Sequence, residues 1–309
     1  DKTVYPVASC NDKDFQNLMH VYMDAVFYPN IYQHEEIFRQ EGWSYKMDSM
    51  EDDLAYNGVV YNEMKGAFSS PEGVLDRVVL NTLFPDTSYA NESGGDPEVI
   101  PELTYEQFLD FHRRYYHPSN SYIYLYGNMD MEEKLNWLDS KIHYQEPFKE
   151  VIEKEMPYSI ASDESEEDNT YISYNKVIGT SLDEKLYLAF EVLDYALLSA
   201  PGAPLKRALT DAGIGKDIMG SYDNGIYQPI FSVIAKNANA EQKEAFVNVI
   251  EDTLKDIVAN GMDQKALEAG INYNEFRYRE ADFGGYPKGL MYGLQIMDSW
   301  LYDDEKPFI

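Results

Sequence analysis

The strongest constraint on this chain is an interruption between residues 145 and 168. It holds Pro147, Pro157 and the run Asp163-Glu164-Ser165-Glu166-Glu167-Asp168. Proline cannot continue a helix or a central strand, and a block of like charge has to stay hydrated. No single core can pass through such a segment. The chain therefore reads as two bodies, residues 1–150 and 169–309, joined by an acidic linker at 151–168. Its length agrees, since 309 residues at about 150 per domain make two.

Charge narrows the function classes. The chain carries 25 Lys+Arg against 55 Asp+Glu, a net −30, yet also 14 Phe, 27 Tyr and 3 Trp. That aromatic content supplies a core and separates the chain from disordered acidic tails. A polyanion is repelled by nucleic acid and by anionic membranes, so neither is an expected partner. Cys10 is the only cysteine, which excludes an internal disulfide and a Cys-rich zinc site. A reducing compartment fits, and a cytoplasmic location is expected. No run of about 18 apolar residues is present to span a bilayer. The chain opens at Asp1 directly into the strand-like Thr3-Val4-Tyr5-Pro6-Val7-Ala8, so it reads as a fragment beginning inside a domain.

Helical spacing dominates the first body. Asn11 or Asp12 can cap a helix carrying Phe15, Leu18, Met19, Tyr22, Ala25 and Val26 up to Pro29. Further helices are predicted over 35–40, over 54–68, and through Val74, Val78, Leu80 and Leu83. Residues 48–53 read as a solvated connection and 85–102 as a loop. Thr104 with Gln107 makes a capping box for a helix carrying Phe108, Leu109, Phe111 and Tyr115. Alternation predicts strands over 3–8 and 121–126.

In the second body a strand is predicted over 170–174. Ser181 with Glu184 then suggests a capping box for a helix reaching Leu198. After the break at Ala200-Pro201-Gly202-Ala203-Pro204, strands over 217–222 and 226–235 are joined across Asn224-Gly225. Two long helices, 240–259 and 263–281, finish the chain. Strand–helix–turn–helix order occurs in both bodies, so tandem related α+β domains are expected.

One acidic residue stands out by its position. On a helical projection with Val59 at zero, Val60, Ala67 and Met64 fall at about 100°, 80° and 140°. Glu63 falls at about 40°, inside that apolar arc, while Lys65 points away at about 240°. A carboxylate on a buried face must be paired, protonated or bound to metal. Geometry alone leaves a structural ion pair and a functional carboxylate both open.

The segment Gly58-Val59-Val60-Tyr61-Asn62-Glu63-Met64-Lys65-Gly66-Ala67 resembles the distal-ligand helix of the pitrilysin- and insulinase-like zinc peptidases, the inverzincins. Two further blocks agree. One is Ser93-Gly94-Gly95-Asp96-Pro97 with Ile100-Pro101-Glu102-Leu103-Thr104. The other is Phe111-His112 with Tyr115-Tyr116-His117-Pro118-Ser119-Asn120. Together they are similar to the presequence-protease branch, with weaker likeness at Gln40-Glu41-Gly42-Trp43 and Gly213-Ile214-Gly215.

The resemblance implies a zinc site with an inverted His-x-x-Glu-His motif, in which two histidines bind metal and the intervening Glu activates water. A downstream Glu is the third ligand, and Glu63 matches it. None of His20, His34, His112, His117 and His143 has Glu three residues on followed directly by His. In the family that motif lies upstream of the strand that opens this chain. The implied zinc metalloendopeptidase is thus the intact parent, with Glu63 the one metal ligand here and no catalytic residue in the fragment. One carboxylate cannot hold zinc against water, so neither tight zinc binding nor hydrolysis is expected of the chain alone.

The family also implies a fold: α+β, tandem metallopeptidase-type domains, each a mostly antiparallel sheet with helices packed on one face. Four such domains enclose a chamber that degrades unfolded peptides, which pair with a sheet edge. Partners are then the parent's remaining domains and flexible, basic peptides that an acidic chamber attracts. The alternative is a non-catalytic peptide-binding or assembly subunit with the same fold. Structural roles are expected for His20, His112 and His117, a solvated linker for 163–168, and one strand face for Tyr122, Tyr124 and Tyr126.

Overall fold

The first helix starts where its capping chemistry dictates. Asn11 takes an extended backbone and its side chain accepts from the Asp14 N–H, opening α1 (Asp12–Phe27). After Pro29 the chain turns into α2 (Glu35–Glu41), which stops at Gly42. In this computed structural model, residues 2–51, 53–142, 168–280, 283–303 and 305 are described. The chain separates into two units, Asp1–Tyr158 and Ser159–Ile309, and the division falls outside the described residues, as does most of the acidic linker.

The first unit continues with β1 (Ser44–Lys46) and β2 (Ala55–Asn57), an antiparallel ribbon that places Tyr45 opposite Tyr56. It is followed by α3 (Val59–Ala67), α4 (Pro71–Leu83), α5 (Tyr105–Tyr115) and α6 (Met131–Lys141). The helix predicted over 54–68 is therefore shorter, because 55–57 pair with β1 and Gly58 marks the change of direction. The capping box on α5 is present as read: Thr104 accepts from Gln107 N–H, and the Gln107 side chain accepts from Thr104 N–H.

Met19, Phe38, Met64, Phe84, Ile100, Leu109, Leu138 and Ile142 form the buried apolar set of the described residues of this unit. Lys134, 1% exposed, is buried with them. Its ammonium pairs with Asp12 at 3.1 Å and Glu133 at 3.5 Å, tying α6 to the start of α1. Residues 3–8 and 121–126 join no sheet among the described residues. Alternation shows which side chains share a face, but a strand also needs a neighbouring backbone in register. The duplicated strand–helix–turn–helix order thus lacks its strand in the first unit.

The second unit is built on an antiparallel sheet of β3 (Thr170–Val177), β4 (Asp217–Asp223) and β5 (Ile230–Ala238), with β5 central. Its helices are α7 (Glu184–Asp194), α8 (Pro204–Asp211), α9 (Lys243–Asn260), α10 (Gln264–Glu280) and α11 (Lys288–Trp300). Ile172, Ile218, Phe231, Val233 and Ala235 of the sheet pack with Leu197, Leu198, Leu205, Leu209, Phe246 and Ile250. This is the expected arrangement of antiparallel sheet and covering helices.

Details differ from the sequence expectation. The cap of α7 is Asp183, accepting from Leu186 N–H, rather than Ser181, whose hydroxyl is buried. A π-turn over Tyr195–Ser199 prolongs α7 before the Pro201 break. Asn224-Gly225 is not a two-residue hairpin, since pairing ends at Asp223 opposite Ile230. The Asn224 amide instead donates to Glu191 at 3.1 Å. Helix α11 follows the two long helices expected to be last.

Candidate metal-ligand helix and its surroundings

Two glycines set the position of α3. A Cβ on Gly58 would lie 2.1 Å from the Gly42 carbonyl oxygen, so the start of α3 abuts the end of α2 backbone to backbone. The Tyr61 N–H also donates to Gly42 O at 3.3 Å. Further along, a Cβ on Gly94 would lie 2.1 Å from Met64 Sδ. The Ser93-Gly94-Gly95-Asp96 block is thus the surface against which the buried Met64 packs. Gly95 has φ +90°, a conformation that favours glycine.

Glu63 sits one residue before Met64 and is exposed. Val59 and Val60, which share its arc, are 51% and 36% exposed. The reading that Glu63 lies on a buried face is therefore corrected. Periodicity identified the apolar arc, but only its Met64 side meets another part of the unit. Among the described residues the Glu63 carboxylate has no hydrogen-bond or ion-pair partner. The structural ion pair is accordingly not what holds it.

Beside this helix lies an aromatic group. Trp43 meets Tyr45 and Tyr56 edge-on at 5.5 and 5.8 Å, and Tyr45 stacks on Tyr56 at 5.4 Å. Tyr61 of α3 meets Tyr56 at 5.9 Å. The Trp43 indole N–H donates to Leu103 O at 2.9 Å, fixing the ring. Contact with Tyr45 is the main reason that the Tyr56 phenol is held above its ordinary pKa. Sequence reasoning missed this group, whose signal was the spacing Trp43-x-Tyr45 before a turn and Tyr56 after it.

His112, His117 and His20 each contact neighbouring groups of the first unit. His112 is buried between Tyr32, whose hydroxyl lies 2.7 Å from Nδ1, and Val26 O, 2.8 Å from Nε2. A carbonyl can only accept, so Nε2 carries the proton and, in the neutral ring, Tyr32 donates to Nδ1. His117 accepts from Ser119 N–H at 3.2 Å, and His20 packs on Trp137 with ring centres 6.0 Å apart. No group of three His, Cys, Asp or Glu able to hold a metal occurs among the described residues. Glu63 alone does not make a zinc site.

Of the acidic run, only Asp168 is described, and it is fastened rather than free. Its carboxylate pairs with Lys216 at 2.9 Å and accepts from Asn239 Nδ2 at 3.0 Å. Those contacts, Lys216 first, hold its carboxyl below the ordinary value. A second polar group lies in the same unit. Glu191 accepts from Tyr278 OH at 2.9 Å and Asn224 Nδ2 at 3.1 Å, while Tyr187 donates to Asp298 at 2.9 Å. Burial is the main cause that pushes Glu191 up.

Residues 102–274 match the family model described as Peptidase M16 inactive domain. The chain belongs to the M16 peptidase family. Over its full length it is 53% identical to Protein HypA of Clostridium perfringens, covering 33% of that protein. It is 38% identical over 98% of its length to presequence protease 1 of Arabidopsis thaliana, chloroplastic/mitochondrial, of which it covers 30%. This M16 chain thus spans about a third of the length of the curated relatives it matches. Among solved structures, pitrilysin superposes on 95% of the chain with TM-score 0.53 at 16% identity, the chain covering 30% of pitrilysin. That likeness concerns the fold. The M16 model begins after Glu63, so α3 is covered by the curated relatives and not by the model. Among the described residues of this M16 chain no helix is long and apolar enough to cross a membrane.

Proposed function

We propose that this M16 chain is a section of a zinc-dependent endopeptidase that degrades unfolded, basic peptides inside a closed chamber. In that reading Glu63 is the third metal ligand, and two imidazoles and a general-base Glu come from an upstream His-x-x-Glu-His. The observation that carries it is the exposed carboxylate of Glu63, without a partner among the described residues, on a helix fixed by Gly58 and Gly94. A ligand waiting for ligands from elsewhere needs both a fixed backbone and an open carboxylate. The similarity to presequence protease 1 supports the substrate class.

The remaining parts of the reading follow from it. The two units are related domains, residues 1–150 and 169–309, flanking an acidic linker. The 309-residue chain alone is inactive and binds no zinc tightly, because a single carboxylate falls short of the three protein ligands that catalytic zinc requires. One cysteine, exposed Cys10, suits a reducing compartment, and the cytoplasm is proposed.

A non-catalytic peptide-binding or assembly subunit is favoured by one observation, the description of the matched model as an inactive domain. The decisive experiment joins the upstream segment to this chain and measures peptide cleavage and zinc content, with Glu63→Gln and a chelator as comparisons. Cleavage that falls about 100-fold or more in the Gln variant, with loss of zinc, is the expected result. Full activity in that variant removes the role from Glu63. An upstream segment without His-x-x-Glu-His, and no cleavage, selects the binding subunit.

A further inference from the structure

The β1–β2 ribbon presents aromatic faces to solvent that its own core does not use. Tyr45 is 60% exposed and Tyr56 46% exposed, although both are anchored by Trp43. Large exposed aromatics held in fixed geometry cost little ordering on binding, which suits them to recognition. Their surroundings carry more acidic than basic groups, and the one lysine of the ribbon, Lys46, is paired with Asp48 at 2.9 Å. Glu102 directly precedes Leu103, whose carbonyl accepts from the Trp43 indole. The connection between the strands carries exposed Glu51 and Asp53, neither in an ion pair among the described residues.

The chain itself shows which chemistry such a surface takes. The Arg39 guanidinium lies 5.7 Å over the Trp43 ring and 5.2 Å over Phe38, while pairing with Glu35 at 2.8 Å. Tyr45 and Tyr56 stack on each other and so cover one face each, but their exposed sides offer a guanidinium the same aromatic chemistry. We propose that Tyr45 and Tyr56, with Trp43 as their anchor, form a subsite for the cationic side chains of an extended basic peptide. This rests on the peptide-degrading reading above and names the residues that would select its substrates. Aromatic faces add direction to an attraction that the net charge of −30 supplies only at long range.

The test needs neither zinc nor cleavage, so its failure is distinct from failure of the Glu63 role. The 309-residue chain is titrated with a labelled arginine-rich peptide and with the same peptide carrying neutral citrulline, and anisotropy gives Kd. The arginine peptide is expected to bind and the citrulline peptide to bind at least about fivefold more weakly. Tyr45→Leu with Tyr56→Leu should weaken the arginine peptide about tenfold, whereas the double Phe variant stays within about twofold. Equal binding by the Leu variant, or equal binding of the two peptides, overturns the proposal. Photocrosslinking from a benzophenone beside one arginine provides a measurement on the unaltered chain. Crosslinks within residues 43–61 are expected, and crosslinks confined to other segments overturn it.

Discussion

At the scale of single residues, buried polar groups make the sharpest predictions. His112 satisfies Tyr32 and Val26 at once. His112→Ala strands both and opens a cavity, so the chain should lose about 2 kcal/mol of stability, read from the denaturant midpoint of the first unit. Glu191 differs in sign. Its carboxyl is raised above the ordinary 4.5, so the folded state holds the proton longer than the unfolded state does. Its contribution is complete below 4.5 and is lost as pH rises through the raised value. Glu191→Gln keeps an acceptor for Tyr278 and Asn224, and should flatten that decline in melting temperature measured against pH. An unchanged slope would place the pH dependence elsewhere.

Neither group could be assigned from sequence, because burial of Glu191 depends on partners 33 and 87 residues away. The same limit explains Glu63. Its helix, its arc and its likeness to a ligand position were legible locally. Whether another element covers that arc is a tertiary fact, and in this unit it lies open.

At the scale of elements, what was legible followed local chemistry. The Asn11 cap, the Thr104 capping box and the Gly42 stop involve groups within four residues of one another. Failures came where a nearby alternative won. Asp183 outcompetes Ser181 because it stands directly before the first turn of α7, in reach of the Leu186 N–H. Helix α6 went unread although Asp130 caps it by accepting from Glu133 N–H. The joint between α2 and α3 makes a prediction of its own. Gly58→Ala drives a methyl group into the Gly42 backbone, which cannot yield as a flexible side chain would. A loss of about 2–3 kcal/mol and faster amide exchange across residues 55–67 are expected.

At the scale of the whole molecule, 55 acidic against 25 basic groups set a general repulsion. The ion pairs seen are largely exposed ones, such as Arg39–Glu35 and Lys206–Asp217, and pairs of that kind contribute about 0–1 kcal/mol. Screening therefore relieves more repulsion than it removes attraction. Raising salt from about 0.05 to 0.5 M should raise the melting temperature. A fall would mean that the exposed pairs outweigh the net charge.

The contact between Gly42 and Gly58 also bears on the products a parent enzyme would release. It clamps the ribbon bearing Tyr45 and Tyr56 to the helix bearing Glu63, so the two cannot drift apart independently. On the proposed reading, a substrate gripped by an arginine would be cut at a set offset from that residue, as by a ruler. Fragment masses would then cluster at one spacing, and loosening the clamp would blur them.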